Sequence, residues 1–134
     1  MSERGSAAVE ALLVAPVLLV LVALVVGGGQ LTLDQAAVRA VARESGRMAV
    51  TALTPTEAVE RGEARGKEVA AGYGLDASRL GLSINPGSFG RGSDVEVDVT
   101  YTVELSTLPA FGLLPGSAQL SANHIEPIDR YMSR

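Results

Sequence analysis

The feature that most constrains this chain is an unbroken apolar run near its N-terminus. Residues 11–26 are sixteen consecutive Ala, Leu, Val and Pro residues, and the first charge after them is Asp34. The uncharged stretch 11–33 would form about 34 Å of helix, which is enough to cross the ~30 Å hydrocarbon core of a bilayer. The sequence therefore predicts a membrane-spanning helix. Pro16 lies inside it, and we expect a local kink there, which membrane helices tolerate.

The rest of the 134 residues has the composition of one small, fairly polar domain. Such a domain buries little apolar surface, so we expect it to be stabilised by the helix or by neighbouring subunits. A net charge of −4 without a basic patch argues against nucleic-acid binding. The absence of cysteine excludes disulfides, Cys-ligated zinc and thiol catalysis. The single histidine, His124, cannot build a His-rich metal site, and we expect no cofactor and no metal.

The sequence offers no credible catalytic set. Its carboxylates are scattered over charged faces of the predicted elements, and no nucleophile has a base nearby. The Gly-rich stretch 87–93 lacks the Gly-Lys-Ser/Thr ending of a phosphate-binding loop and lies between predicted strands. We therefore predict that the protein is not an enzyme.

Glu10, at the head of the apolar run, separates three interpretations of this segment. A secretory signal peptide needs a positive n-region and a small-x-small cleavage site, whereas residues 1–5 carry no net side-chain charge. A plain signal anchor explains the apolar run but not Glu10, because a carboxylate at the bilayer centre costs about 2.5–3.5 kcal/mol. The third interpretation accounts for the glutamate.

The segment Gly5-Ser6-Ala7-Ala8-Val9-Glu10 resembles the type IV prepilin signal, in which a cut after glycine makes glutamate the fifth residue of the mature chain. The resemblance implies that a prepilin peptidase cuts between Gly5 and Ser6 and leaves the helix in the membrane. The new ammonium of Ser6 would lie four residues from Glu10 on one helical face. Glu10 can instead pair with the ammonium of a neighbouring subunit, which would offset the cost of placing it in the apolar layer.

The similarity extends beyond the signal. Residues 4–10, the following Leu13-Val14-Ala15-Pro16-Val17-Leu18-Leu19 and the Ala-rich segment 34–44 resemble TadE-like minor pilins (pseudopilins) of tight-adherence, Flp-type pilus systems. The match covers roughly residues 4–50. One departure is Ala11, where the family often has an aromatic residue, and it bears on the detailed packing. The further residues beyond the helix favour a minor pilin, since the major Flp pilin is scarcely more than signal and helix.

The resemblance implies a structural role in pilus assembly. It divides the chain into a leader (residues 1–5), a transmembrane assembly helix (6–33) and an extracytoplasmic helix with a small α+β domain (34–134). The partners implied are the membrane, a prepilin peptidase, other pilin or pseudopilin subunits and the inner-membrane pilus assembly platform. The chain would be a single-pass cell-membrane protein, and its incorporation into a surface pilus stays open.

The distribution of basic residues about the span keeps the orientation of the chain open. Arg4 is the only basic residue before the span, whereas Arg39, Arg43 and Arg47 follow it, so the positive-inside count argues against an extracytoplasmic C-terminal domain. We follow the resemblance on this point.

The alternative function is a signal-anchored or secreted extracytoplasmic binding module unrelated to pili. The three arginines that follow the span are interpreted as a solvated face rather than as a contact with subunits or lipid headgroups.

The remaining sequence predicts an α+β fold with a pilin-like plan. We expect the first helix to continue to about Leu53, and a second helix to start with Thr54, Pro55 and Glu57 as a capping box. The second helix should end around Gly72 or Gly74, and Gly62 and Gly66 should weaken it and make it short or frayed. The first helix should bury a face whose residues follow 3-4 spacing: Val38, Val41, Ser45, Met48 and Ala52.

Three strands are predicted, at Leu80–Ile84, Val95–Leu105 and Ala118–Ile125, forming a small antiparallel sheet packed on the helices. The middle one alternates without error, and its acidic residues should face solvent rather than hold a cation. The apolar loop that follows it, residues 108–116, either folds back over the sheet, which we favour, or is exposed as a contact with other subunits.

Overall fold

The computed structural model describes residues 3–131 and has the predicted α+β, pilin-like architecture. A long N-terminal apolar helix and a second helix are accompanied by a three-stranded antiparallel sheet packed on the helix. The elements are α1 (Glu3–Ala49), α2 (Pro55–Gly72), β1 (Leu80–Asn85), β2 (Asp94–Glu104) and β3 (Ser117–Pro127).

The chain divides into two compact units. The first unit contains the residues up to Thr32 together with Glu104–Ser117, and the second contains Leu33–Val103 together with the residues from Ala118 onward. The predicted apolar loop is therefore grouped with the N-terminal part of α1, whereas the expectation was that it would fold over the sheet.

The second unit is built on the C-terminal part of α1. Four of the five residues of the predicted seam are buried, and Met48, at 37% exposure, is the exception. Ala49, the residue after Met48, is fully buried instead. Its small side chain lets a neighbouring element approach the helix closely. The helix ends at Ala49, a few residues before the predicted end at Leu53.

The start of α2 has the predicted capping box. The Thr54 side-chain oxygen accepts a hydrogen bond from the Glu57 backbone N–H at 3.2 Å, and Pro55 occupies the first helical position. The Glu57 carboxylate accepts a bond from the backbone N–H of Leu53 at 2.8 Å. The first bond satisfies an N–H group that a helix start leaves without an intrahelical partner. The second goes to the residue before the N-cap, one position earlier than in the standard capping box.

The second helix ends at Gly72, one of the two predicted ends, but it has 18 residues, so the expectation that it would be short or frayed was wrong. Gly62 and Gly66 are both buried. A Cβ at Gly62 would collide with the Ile84 side chain, and one at Gly66 would collide with Ser45 and Leu82. The glycines therefore let α2 approach α1 and β1 closely. This packing offsets a propensity cost of about 1 kcal/mol for each glycine.

β2 is the central strand, in the order β1-β2-β3. It pairs with β1 in antiparallel register from Leu80↔Tyr101 to Asn85↔Glu96. Its alternating residues Val95, Val97, Val99, Tyr101 and Val103 are buried, as the alternation predicts. On its other face, the Asn123 side-chain amide donates to Glu96 and to Asp98, at 2.8 Å each. The side chain of Gln35 also links α1 to β3 by donating to the Ser121 carbonyl at 2.9 Å.

Candidate functional site

The predicted processing and assembly residues lie at the start of α1. Because this helix begins at Glu3, Gly5, Ser6 and Glu10 are all in helical conformation. Ser6 and Glu10 are exposed, and their spacing of four places them on one helical face. A carboxylate on this face is available to a cation in the same chain or in another copy. The first two residues of the predicted leader lie outside the described residues.

The apolar segment that follows is exposed along almost its whole length. An 18-residue window of α1 has a mean hydropathy of 2.9 and is 0% buried. Leu13 and Val25, for example, are 72% and 75% exposed. Exposed apolar surface of this extent is unfavourable in water and marks an interaction site. The helix is long and apolar enough to cross a membrane, which is consistent with a single-pass membrane protein or a signal anchor.

Pro16 lies inside α1, and the helix is continuous through it. Proline removes one backbone hydrogen bond from a helix interior, so the kink expected at this residue stays a prediction. Asp34 is the first charged residue after the apolar segment. Its partial burial raises the pKa of its carboxyl group, because desolvation disfavours the charged form.

The loop between β2 and β3 packs on the apolar segment of α1. The predicted loop, residues 108–116, is part of this connection, and the name apolar loop is used below for the whole of residues 105–116. Gly27 of α1 is buried, and a Cβ at this position would lie 2.7 Å from the Pro109 carbonyl oxygen and 3.1 Å from the Phe111 ring. The loop backbone therefore approaches the helix at a distance that only glycine allows. Corresponding positions at Gly28 and Gly29 have nothing within 4 Å.

Further contacts and turns shape the apolar loop. Leu19, Val20 and Ala23 of the helix line a groove together with loop residues that include Leu113. Leu108 is buried, whereas Leu113 is 97% exposed and points away from the protein interior. Ala110 has a φ of 66°, a left-handed conformation that is uncommon for a residue other than glycine. The loop therefore has a defined conformation with one apolar face on the helix and another facing outward.

Sequence reasoning missed both Gly27 and the position of the apolar loop. The Gly27-Gly28-Gly29 run was a signal, because small residues in membrane helices mark places where another backbone comes close. It did not indicate which of the three glycines is covered, or by what. That information depends on the tertiary arrangement of the first unit.

The second unit has charged residues that form surface ion pairs. Arg47 lies 3.7 Å from Glu44, and Arg65 lies 3.5 Å from Glu44 and 3.0 Å from Glu68. Arg39, Arg43 and Arg47 are exposed, consistent with a solvated face. Exposed pairs of this kind contribute about 0–1 kcal/mol each. They mark a polar surface rather than a binding site.

The remaining polar cluster pairs His124 with Glu126. The two side chains approach to 2.7 Å and are both half-buried, and a Cβ at Gly46 would lie 3.0 Å from the His124 ring. This pair therefore sits where β3 packs closely on α1. Within residues 3–131, no group of three or more His, Asp or Glu side chains is arranged to hold a metal ion.

Comparison with known families gives a match over part of the chain. The model of the family described as TadE-like protein matches residues 5–47. This range contains Gly5, Ser6, Glu10 and Pro16, and it confirms the resemblance inferred from the sequence over these residues. The family is pilus-related, and its members are generally non-enzymatic structural proteins. Comparison with curated proteins and with solved structures gives no match.

Proposed function

We propose that this protein is a structural minor pilin (pseudopilin) of a tight-adherence type pilus, without catalytic activity or cofactor. In this proposal a prepilin peptidase removes residues 1–5, and residues 6–33 span the membrane. Residues 34–134 lie outside the cytoplasm. The observation that carries the proposal is the exposed Glu10, four residues after Ser6, at the head of an unburied apolar helix that a TadE-like model matches.

The proposed cleavage site is in a part of the helix that opens easily. The Gly5–Ser6 bond lies within the first turns of α1, which begins at Glu3. The first four N–H groups of a helix have no intrahelical partner, and helix ends fray. Unwinding this end to present the bond to a peptidase therefore costs less than opening the helix interior.

Cleavage would convert Ser6 into a charged N-terminus next to the apolar segment. Its ammonium and the Glu10 carboxylate have opposite charge and i, i+4 spacing, so they can pair within one chain. Between two copies, the same pairing would fix the axial offset of neighbouring helices. It would also offset the cost of about 2.5–3.5 kcal/mol for a carboxylate at the bilayer centre. During assembly, the cleaved chain would meet other pilin or pseudopilin subunits at the assembly platform in the inner membrane.

The apolar surface of α1 suits both states of such a subunit. Before assembly, the exposed leucines and valines of the helix would contact lipid. After extraction from the bilayer, the same side chains need another apolar environment, which packed helices of neighbouring subunits supply. The alternative function places the same helix differently: a signal-anchored binding module would keep it in lipid, and a secreted module would lose it by cleavage near Gln30.

The processing step is tested by the mass of the membrane-bound chain in cells with an active prepilin peptidase. We expect the wild-type chain to begin at Ser6. Gly5→Trp should stay uncut, because a bulky side chain replaces the hydrogen at the cleavage position. Gly5→Ala is the matched control and should retain more processing than Gly5→Trp.

The alternatives give different masses in the same experiment. A plain signal anchor would begin at Met1 or Ser2, and a secreted module would begin near Gln30. Recovery of an uncut wild-type chain in the membrane would contradict the proposed processing.

A further inference from the structure

We propose that the apolar loop is a second membrane-contacting element, which lies against α1 within the bilayer and exposes Leu113 and Leu114 to lipid acyl chains. The inference depends on the membrane placement of α1 in the proposed function. It does not depend on cleavage or on pilus assembly.

The first argument is the level at which the apolar loop meets the helix. The loop covers Gly27 and shares a groove with Leu19 and Ala23. Gly27 lies six residues before Leu33, the end of the proposed span, and Leu19 lies fourteen residues before it. At 1.5 Å per residue these separations are about 9 and 21 Å of helix. The hydrocarbon core is about 30 Å thick. If these residues are in the bilayer, the loop that contacts them is in the bilayer as well.

The second argument is composition. No Asp, Glu, Lys, Arg or His occurs among residues 105–123, so no side chain in the apolar loop opposes insertion by its charge. Leu113 and Leu114 are 97% and 51% exposed. Two adjacent leucines held outward are unfavourable in water, and acyl chains supply the environment that they lack.

The third argument concerns the backbone. Polar backbone groups in hydrocarbon need partners within the protein. In the apolar loop, the N–H groups of Leu108, Phe111 and Leu114 donate to the carbonyls of Leu105, Leu108 and Phe111, at 2.8–3.1 Å. The Leu105 N–H donates to the Gly116 carbonyl at 3.1 Å. Pro109 and Pro115 have no N–H group. The consecutive turns therefore meet part of the hydrogen-bonding requirement internally.

Lipid fits the outward face of the apolar loop better than a neighbouring helix does. Helices in membranes pack through small residues that let backbones approach. Of the three glycines at this level of α1, Gly27 is covered by Pro109 and Phe111, whereas Gly28 and Gly29 have nothing within 4 Å and lie on other faces of the helix. The outward face presents the longer side chains of Leu113 and Leu114 instead. This surface is suited to flexible acyl chains.

The test uses tryptophan fluorescence, because the natural chain contains no tryptophan. Leu113→Trp reports on the apolar loop, and Val25→Trp reports on the exposed face of the span. Gln119→Trp, at an exposed position of β3, is the control for a residue in water. Each full-length variant is reconstituted in phosphatidylcholine vesicles. Quenching is measured with lipids brominated on the acyl chain and with aqueous iodide.

We expect Leu113→Trp to behave like Val25→Trp. Both should show blue-shifted emission, strong quenching by brominated lipid and iodide quenching several-fold weaker than that of Gln119→Trp. Leu114→Trp provides a second probe of the same loop and should also be quenched by brominated lipid.

Three results would overturn the inference, and they differ in what they say about the proposed function. If Val25→Trp is lipid-quenched but both loop probes are quenched by iodide like Gln119→Trp, the loop lies in water and the span is unaffected. If both loop probes are shielded from both quenchers, the loop contacts protein, as expected for a second copy of the chain. If Val25→Trp also escapes the brominated lipid, α1 does not span the bilayer, and the proposed function fails with the inference.

Discussion

At the scale of single residues, the account depends most on Glu10. Its side chain is exposed in the first turns of α1, next to a segment that is otherwise apolar. A carboxylate in this position is unfavourable in a bilayer unless a cation pairs with it. The proposed partner is the ammonium that cleavage would create at Ser6 of the same or a neighbouring chain.

We predict that Glu10→Ala and Glu10→Gln are processed and inserted normally but assemble poorly. The amide of Gln keeps the shape of the side chain and loses its charge, so Glu10→Gln should resemble Glu10→Ala rather than the wild type. The amount of chain recovered in sheared pili or crosslinked complexes, relative to its membrane content, measures the effect. Glu60→Gln, at an exposed position of α2, is the control for loss of a surface carboxylate. Normal assembly of both Glu10 variants would show that the charge is incidental.

At the scale of elements, close packing of α2 decides the stability of the second unit. Gly66 lies where α2 meets Ser45 of α1 and Leu82 of β1, and a Cβ at this position would collide with both side chains. Alanine is the better helix former by about 1 kcal/mol, whereas overpacking a close contact costs about 1–3 kcal/mol. The cost of overpacking at Gly66 should therefore exceed the gain in helix propensity, so that an alanine there destabilises the second unit.

We predict that Gly66→Ala lowers the thermal midpoint of the second unit, although it raises helix propensity. Gly72→Ala is the matched control, since a Cβ at Gly72 meets nothing within 4 Å; it should be neutral or slightly stabilising. Circular dichroism of the full-length variants in detergent measures both changes. A higher midpoint for Gly66→Ala than for the wild type would mean that the helices have room to separate.

The elements differ in how far the sequence could predict them. The N-terminal cap of α2 and the alternation of β2 are local patterns, and both were predicted correctly. Thr54 and Glu57 bond within one segment, and the period of two in β2 appears in the sequence whichever elements bury its valines. The end of α2 near Gly72 was predicted as well. The expectation of a frayed helix was wrong, because the effect of Gly66 depends on contacts with α1 and β1, which are distant in sequence. The position of the apolar loop was not predicted for the same reason: it depends on a close contact with Gly27, which is distant from the loop in sequence.

At the scale of the whole molecule, orientation in the membrane is the open prediction. Arg39, Arg43 and Arg47 follow the span and are exposed, and the positive-inside rule would place them in the cytoplasm. The prepilin resemblance instead places residues 34–134 outside. We predict that a reporter fused after Arg134 which is active only outside the cytoplasm gives a signal. A signal from a fused reporter that is active only in the cytoplasm would show that the arginines determine the orientation.

The candidate site also illustrates what a single chain reveals at this scale. Gly5, Ser6, Glu10 and Pro16 could be selected from the sequence, because the prepilin signal is a local pattern at the head of an apolar run. How the residues function depends on other molecules: Gly5 and Ser6 would be recognised by a peptidase, and Glu10 by a second subunit. The fold of one chain therefore gives the exposure and spacing of these residues, and their roles have to be tested in the assembling system.

The central claim is that this chain is a processed structural subunit, and the most direct measurement is the intact mass of the chain recovered from sheared pili. The account predicts a chain of residues 6–134, beginning at Ser6, in pili from cells with an active prepilin peptidase. It predicts no chain in the same fraction from cells that lack the peptidase, where the uncut chain should stay in the membrane. A chain beginning at Met1 or Ser2 in the pilus fraction, or a wild-type chain that stays uncut in the membrane despite an active peptidase, would contradict it.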